Sequence, residues 1–131
     1  MDQSVINANM SSLLHAQQGE MDAILMYNKL AEIVSEADAR VFRQLAAEEG
    51  RHASVFHNYT GRVLQPKKTK SVLIPLLYRT LGRKRTYSLI SKGEYSAGED
   101  YKTLLCTFSD VQSVLDDEIR HGDMVKALLN N

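Results

Sequence analysis

Cysteine is nearly absent from this chain. Cys106 stands alone, so no disulfide can form within the molecule and a disulfide-stapled scaffold is excluded. A single thiol fits a reducing compartment. The opening residues, MDQSVINANM, show neither the basic nor the apolar region of a secretory signal, so a cytoplasmic protein is expected. No apolar run approaches the ~20 residues that a membrane-spanning helix needs. Net charge is also absent, with 16 basic against 16 acidic residues, so nothing in the bulk charge draws the chain to nucleic acid. Two prolines, 44% hydrophobic and 24% charged residues fit an ordinary globular chain, and 131 residues fit one domain with one core. One local absence cuts against this evenness. Between Gly50 and Gly93 there is no acidic residue, while seven Lys or Arg fall between Lys67 and Arg85.

Strand-like alternation of useful length is missing, and apolar residues recur instead at steps of three and four, the period of a helix face. The first stripe runs Leu13, Ala16, Glu20, Ala23, Tyr27, Leu30 and Val34, and the second Phe42, Leu45, Glu49, His52 and Phe56. Ser35 can cap the second helix, with Glu36 and Asp38 suiting its positive N-terminal end, and Tyr59-Thr60-Gly61 reads as its stop. A third stripe contains Tyr87, Ile90, Glu94, Ala97, Tyr101, Leu104 and Phe108. A fourth, capped by Ser109 or Asp110, contains Val111, Val114, Glu118, His121, Val125 and Leu128. An all-α fold is expected, with an acid in the middle of every apolar stripe.

The two halves repeat. Glu20, Ala23, Tyr27 and Leu30 have the spacing of Glu94, Ala97, Tyr101 and Leu104. Each set is followed by the only Glu-x-x-His spacings in the chain, Glu49-x-x-His52 in EEGRH and Glu118-x-x-His121 in DEIRH. The midpoint of Glu20 and Glu49 falls at Val34–Ser35, and that of Glu94 and Glu118 at Cys106, both next to predicted helix boundaries. At about 1.5 Å per residue, the acids of each antiparallel hairpin meet within roughly a turn. Hairpins over about 5–60 and 84–130, joined by a basic connector over about 61–83, make one domain over 1–131. The expected architecture is a ferritin-like antiparallel four-helix bundle with one long crossover between the second and third helices.

Four carboxylates and two imidazoles converging in a core are hard to tolerate without cations, because like carboxylates at close range cannot all ionise. Two divalent cations would balance them, and imidazole nitrogen favours first-row transition metals over magnesium or calcium. A lone Glu-x-x-His is ordinarily a solvated surface pair. Two of them, each preceded by a stripe-centred Glu in a repeated frame, match the ligand set of di-iron and di-manganese bundles. The candidate metal ligands are therefore Glu20, Glu49, His52, Glu94, Glu118 and His121. Tyr27 and Tyr101, two turns from Glu20 and Glu94 on the same helix faces, can serve as core aromatics or as hydrogen-bond donors to a carboxylate. Glu48, Asp117, Arg51 and Arg120 read as exposed ion pairs, one acid being placed to orient a histidine. His15 and His57 fall outside the repeat.

On GEMDAILMY, EEGRH, KGEYSAGEDY and DEIRH, the chain resembles the rubrerythrin family of ferritin-like di-iron proteins over roughly residues 5–130. The resemblance implies two iron ions, with manganese as the alternative, and Glu49 and Glu118 as bridging ligands. It also implies an oxidoreductase of oxidative-stress defence that reduces peroxide or oxygen; relatives oxidise ferrous iron. Rubrerythrins usually add a rubredoxin-like module with paired Cys-x-x-Cys motifs, which this chain lacks, so electrons are expected from a separate donor protein. They also typically carry an extra carboxylate one turn after the third-helix Glu, where this chain has Ala97. Glu99 lies about 140° round the helix from Glu94 and cannot replace it.

The connector contains SVLIPLLYRTLG, residues 71–82, flanked by Lys67, Lys68, Lys70 and Arg83, Lys84, Arg85. Its plainest role is a crossover covering the bundle, with Pro75 near the first turn of a short helix. A surface for an acidic electron-transfer partner, a homodimer contact and weak attachment to anionic lipid are the alternatives. Nucleic-acid binding is not expected.

Overall fold

The computed structural model describes residues 1–130; Asn131, the last residue of the expected domain, lies outside them. The described residues form six α-helices and no strand, and none of these helices is long and apolar enough to cross a membrane. A short α1, Gln3–Ala8, is capped by Asp2, whose side chain accepts from the Ser4 amide at 2.9 Å. It is separated from α2, Met10–Ala31, by a break at Asn9, which the apolar periodicity did not reveal. Helix α3 spans Glu36–Thr60. The Ser35 hydroxyl accepts from the Asp38 amide at its start, and Gly61 ends it in the left-handed region at φ 65°, where glycine carries no Cβ penalty.

The connector is more ordered than its sequence suggests. Residues 69–81 form helix α4, Thr69–Leu81, and Pro75 lies in its middle, not in its first turn. There the proline has no N–H to offer the preceding turn. Gly82, at φ 89°, is the sole residue between α4 and α5, Arg83–Leu105. Helix α6 spans Val111–Leu128. Its flanking Asp110 makes no side-chain cap, because its carboxylate instead accepts from the Tyr59 hydroxyl at 2.9 Å.

Contacts at two heights set the relative directions of the long helices. Between α2 and α3, Tyr27 stacks on Phe42 at 5.7 Å, and Thr60 donates to Gln17 at 2.6 Å, so the two run antiparallel. In the second pair, Ser91 donates to the Gly122 carbonyl at 2.9 Å, while Gly98 lies against Glu118 and Ile119. Across the pairs, Tyr27 meets Glu94 and Tyr101 meets Glu20, which makes α2 and α5 antiparallel. His52 meets Asp117 and His121 meets Glu48, which does the same for α3 and α6. Helix α4 packs against α2 and α5.

Two apolar clusters hold these helices together. One contains Tyr27, Leu30, Phe42, Leu45, Tyr87, Ile90 and Val125, and the other Leu13, Phe56, Leu104, Phe108, Val111 and Val114. Each fully buried side chain of this size contributes about 1.5–3 kcal/mol. On every long helix, the acid of the apolar stripe falls between the segment in one cluster and the segment in the other. The polar layer is thus enclosed by dry packing at both ends.

Candidate metal centre

The structure brings all six candidate ligands into that layer, and none is more than 6% exposed. Helix α2 contributes Glu20, α3 Glu49 and His52, α5 Glu94, and α6 Glu118 and His121. The i, i+3 spacing of each Glu-x-x-His keeps both side chains on one face. His15 and His57 are exposed and take no part.

What identifies the layer is its unsatisfied atoms. Among the described residues, seven buried side-chain N or O atoms lack a hydrogen-bond partner. One belongs to Thr86, and the other six come one each from the six candidates: Glu20 Oε2, Glu49 Oε1, His52 Nδ1, Glu94 Oε2, Glu118 Oε1 and His121 Nδ1. Several of these atoms are close without being aligned as hydrogen bonds. His52 Nδ1 lies 2.9 Å from Glu118 Oε1, and His121 Nδ1 lies 2.9 Å from Glu49 Oε1. An unpaired buried polar group costs about 1–3 kcal/mol, more if charged, so six facing one another require a compensating partner.

Ligand atoms of Glu20, Glu49, His52 and Glu118 lie within 4.8 Å of one another, as do those of Glu49, Glu94, Glu118 and His121. The two groups share Glu49 and Glu118. Four carboxylates balance two divalent cations, and each group pairs oxygen donors with one imidazole nitrogen, a set suited to iron or manganese. The residues present therefore fit a two-metal centre.

The outer atoms of the same side chains are tied down across the hairpins. His52 Nε2 meets Asp117 Oδ2 at 2.8 Å, and His121 Nε2 meets Glu48 Oε1 at 3.0 Å. Donation from Nε2–H to these acids turns Nδ1 inward, and in the neutral ring that is the nitrogen a metal would take. This corrects the reading of the flanking acids as exposed ion pairs. Glu48 is buried, Asp117 is partly buried, and each holds the histidine of the opposite hairpin. Arg120 donates to both acids, while Arg51 reaches Glu48 only at 3.7 Å. Burial pushes the Glu48 carboxyl up, but bonds from Arg120, His121 and Gln44 outweigh it and hold the group at about 2.

The tyrosines cross in the same way. Tyr101 donates to Glu20 Oε1 at 2.6 Å and Tyr27 donates to Glu94, so each serves the carboxylate of the other hairpin and not the one two turns away on its own helix. Burial, then the facing carboxylates, raises both phenols well above their usual range, which keeps them protonated donors.

Without cations the inner carboxylates repel. Burial, reinforced by the charge of Glu20, raises Glu49 well above the ordinary range. Burial pushes Glu118 up to about 12, with Glu20, Glu94 and Glu49 adding to it against the opposing effect of the neighbouring His52 imidazole. Protons would then stand where metal charge would otherwise balance the layer. Glu99 is no substitute for a carboxylate at Ala97, since it is exposed and pairs with Lys102 at 2.8 Å.

Beside the layer lies a cavity of about 350 Å³ between α2, α4 and α5, which Glu20, Glu49, Glu94 and Glu118 help to line. Sequence periodicity gave no signal for it. No curated protein and no solved structure matches the chain. The family description Rubrerythrin matches over residues 12–129, nearly the whole sequence. The chain belongs to the rubrerythrin family, the ferritin-like di-iron domain family.

Proposed function

We propose that the chain is a di-iron oxidoreductase that reduces peroxide or oxygen with electrons from a separate donor protein. Glu20, Glu49, His52 and Glu118 would hold one ion, and Glu94, Glu49, Glu118 and His121 the other. The observation that carries this reading is the set of six unpaired buried atoms, one from each residue, on four different helices. Iron is the expected metal and manganese the alternative.

A bound iron pair would supply the redox chemistry. The chain's own part is placement and exclusion. Asp117 and Glu48 fix the histidine tautomers, Tyr101 and Tyr27 hold one oxygen of Glu20 and of Glu94, and the two apolar clusters keep bulk water from the layer. The cavity beside Ala97 offers small oxidants a path to the inner carboxylates. The four long helices are read as a ferritin-like antiparallel four-helix bundle. Since α2 opposes both α3 and α5, those two run in the same direction, and residues 61–83 serve as the crossover between them. The protein is placed in the cytoplasm, with a homodimer as a further expectation.

The absence of an extra carboxylate at Ala97 and the outward turn of Glu99 favour a second reading, oxidation of Fe(II) by oxygen, over fast peroxide turnover. One experiment addresses both. The protein is purified without added metal, its bound metals are counted against a Glu49→Ala/His52→Ala variant, and the Fe(II)-loaded form is mixed with peroxide or with air. Two iron or manganese ions per chain, absent from the variant, support the site, and the faster oxidant selects the activity. Metal that fails to bind even on anaerobic reconstitution with Fe(II) sinks the proposal. Bound metal with no turnover leaves a metal-stabilised helical interaction module.

A further inference from the structure

We propose that the cavity between α2, α4 and α5 is a binding site for a small aliphatic monocarboxylate, with its carboxylate at Lys70 and its chain directed toward the acidic layer. This goes beyond the reduction of peroxide or oxygen and does not depend on which of these is the oxidant.

The cavity is larger than the oxidants need. Peroxide and oxygen each need about the room of one or two waters, at ~30 Å³ per water. The cavity offers about 350 Å³, within the ~300–1,000 Å³ range of small-molecule pockets. At the packing of a liquid, that is room for roughly ten water-sized groups, the heavy-atom count of a medium-chain carboxylate such as octanoate.

Its lining is apolar with one cation. Met26, Leu73, Ile74, Leu89 and Ile90 give the walls an apolar character suited to a hydrocarbon chain. Leu73 and Leu89 are 46% and 49% exposed, so apolar surface is presented at the mouth. Lys70 is the only cation among the lining residues. Among the described residues it makes no ion pair, although Glu99 and Asp100 line an adjoining pocket with it. An unpaired ammonium at the mouth of an apolar cavity selects an anion with an apolar body. The inner end is already crowded by four carboxylates, which directs the ligand's own carboxylate outward.

Two glycines keep it open. Gly19 and Gly93 both line the cavity, each immediately before a stripe acid, and a Cβ at either would meet nothing within 4 Å. Close helix packing therefore does not require them. Glycine in a helix interior costs about 1 kcal/mol relative to alanine, and what these two provide is an open mouth between α2 and α5.

The test is calorimetric titration of the full chain, metal-free and metal-loaded, with octanoate, and with octylamine as the opposite-charge control. Octanoate is expected to bind saturably, one per chain, and octylamine at least tenfold more weakly. Lys70→Glu should weaken octanoate at least tenfold. Gly93→Leu should abolish binding with an unchanged or higher unfolding temperature and the same metal content, because its Cβ meets no neighbour and the rest of the side chain fills the mouth. No saturable binding, equal binding of octylamine, or octanoate binding unchanged in both variants would overturn the proposal. Metal analysis of the same samples separates the two readings: two ions per chain without octanoate binding defeats only the cavity, and octanoate binding without metal defeats only the di-iron centre.

Discussion

Replacing Glu118 by methionine should make the metal-free protein more stable and the metal-loaded protein less stable. Glu118 is 2% exposed, faces three other carboxylates and leaves Oε1 without a hydrogen-bond partner. Burial and its neighbours push its carboxyl up to about 12, so without metal it is a neutral but unsatisfied acid at neutral pH. Methionine has a similar length and no polar atom to satisfy. Removing the orphan should gain about 1–3 kcal/mol, which is roughly 4–12 °C in Tm for a chain of this size. Metal reverses the sign. Free ion at about 1,000 times its Kd stabilises the wild type by ~4 kcal/mol, and the variant forfeits most of this because Glu118 belongs to both ligand groups. The assay is far-UV circular dichroism melting of both proteins in chelator and with excess Fe(II) or Mn(II) under anaerobic conditions. A variant that melts lower in chelator as well would refute the reasoning, since the layer would then be stable through its own contacts.

Tyr27→Phe leaves a buried oxygen of Glu94 without its donor, and urea unfolding in chelator should show a loss of about 1–3 kcal/mol; a change within ~0.5 kcal/mol would remove this bond from the account of the site. Glu48→Gln loosens the outer hold on His121 and should lower metal affinity by ~10–100-fold in chelator competition, whereas unchanged affinity would mean that packing alone orients the ring. Asp38 is buried and accepts from Arg83 at 2.9 and 3.2 Å and from Tyr87 at 2.6 Å. Burial raises its pKa, but the Arg83 and Tyr87 bonds outweigh this and leave it lowered. Its contribution is thus complete above the unfolded value of ~3.9 and is lost as pH falls through the folded one. Asp38→Asn should be less stable near neutral pH, with the gap to wild type closing below about pH 4; a gap that stays constant into acid would contradict the assignment.

Much of the architecture was legible because helix periodicity is local. An acid in the middle of an apolar stripe is visible at Glu20, Glu49, Glu94 and Glu118 within a dozen residues of chain, and the hairpin midpoints required only a fixed rise per residue. The Ser35 cap and the Gly61 stop are equally short-range, and both appear in the structure. Where neighbouring signals competed, the tertiary contact prevailed. Asp110 could cap α6 or accept from Tyr59, and it accepts from Tyr59. Pro75 suited a first turn, but α4 begins earlier and carries the proline in its middle. The crossed bonds were beyond the sequence altogether. Tyr27 serves Glu94, Tyr101 serves Glu20, Glu48 serves His121 and Asp117 serves His52, and each partnership depends on which helices become neighbours. The sequence by itself determined which faces are apolar and which residues interrupt them, because these follow from 3.6 residues per turn. Only the tertiary structure decided which atom of each residue is satisfied and which is left facing the others, because that depends on groups brought together from positions up to 81 residues apart in the chain.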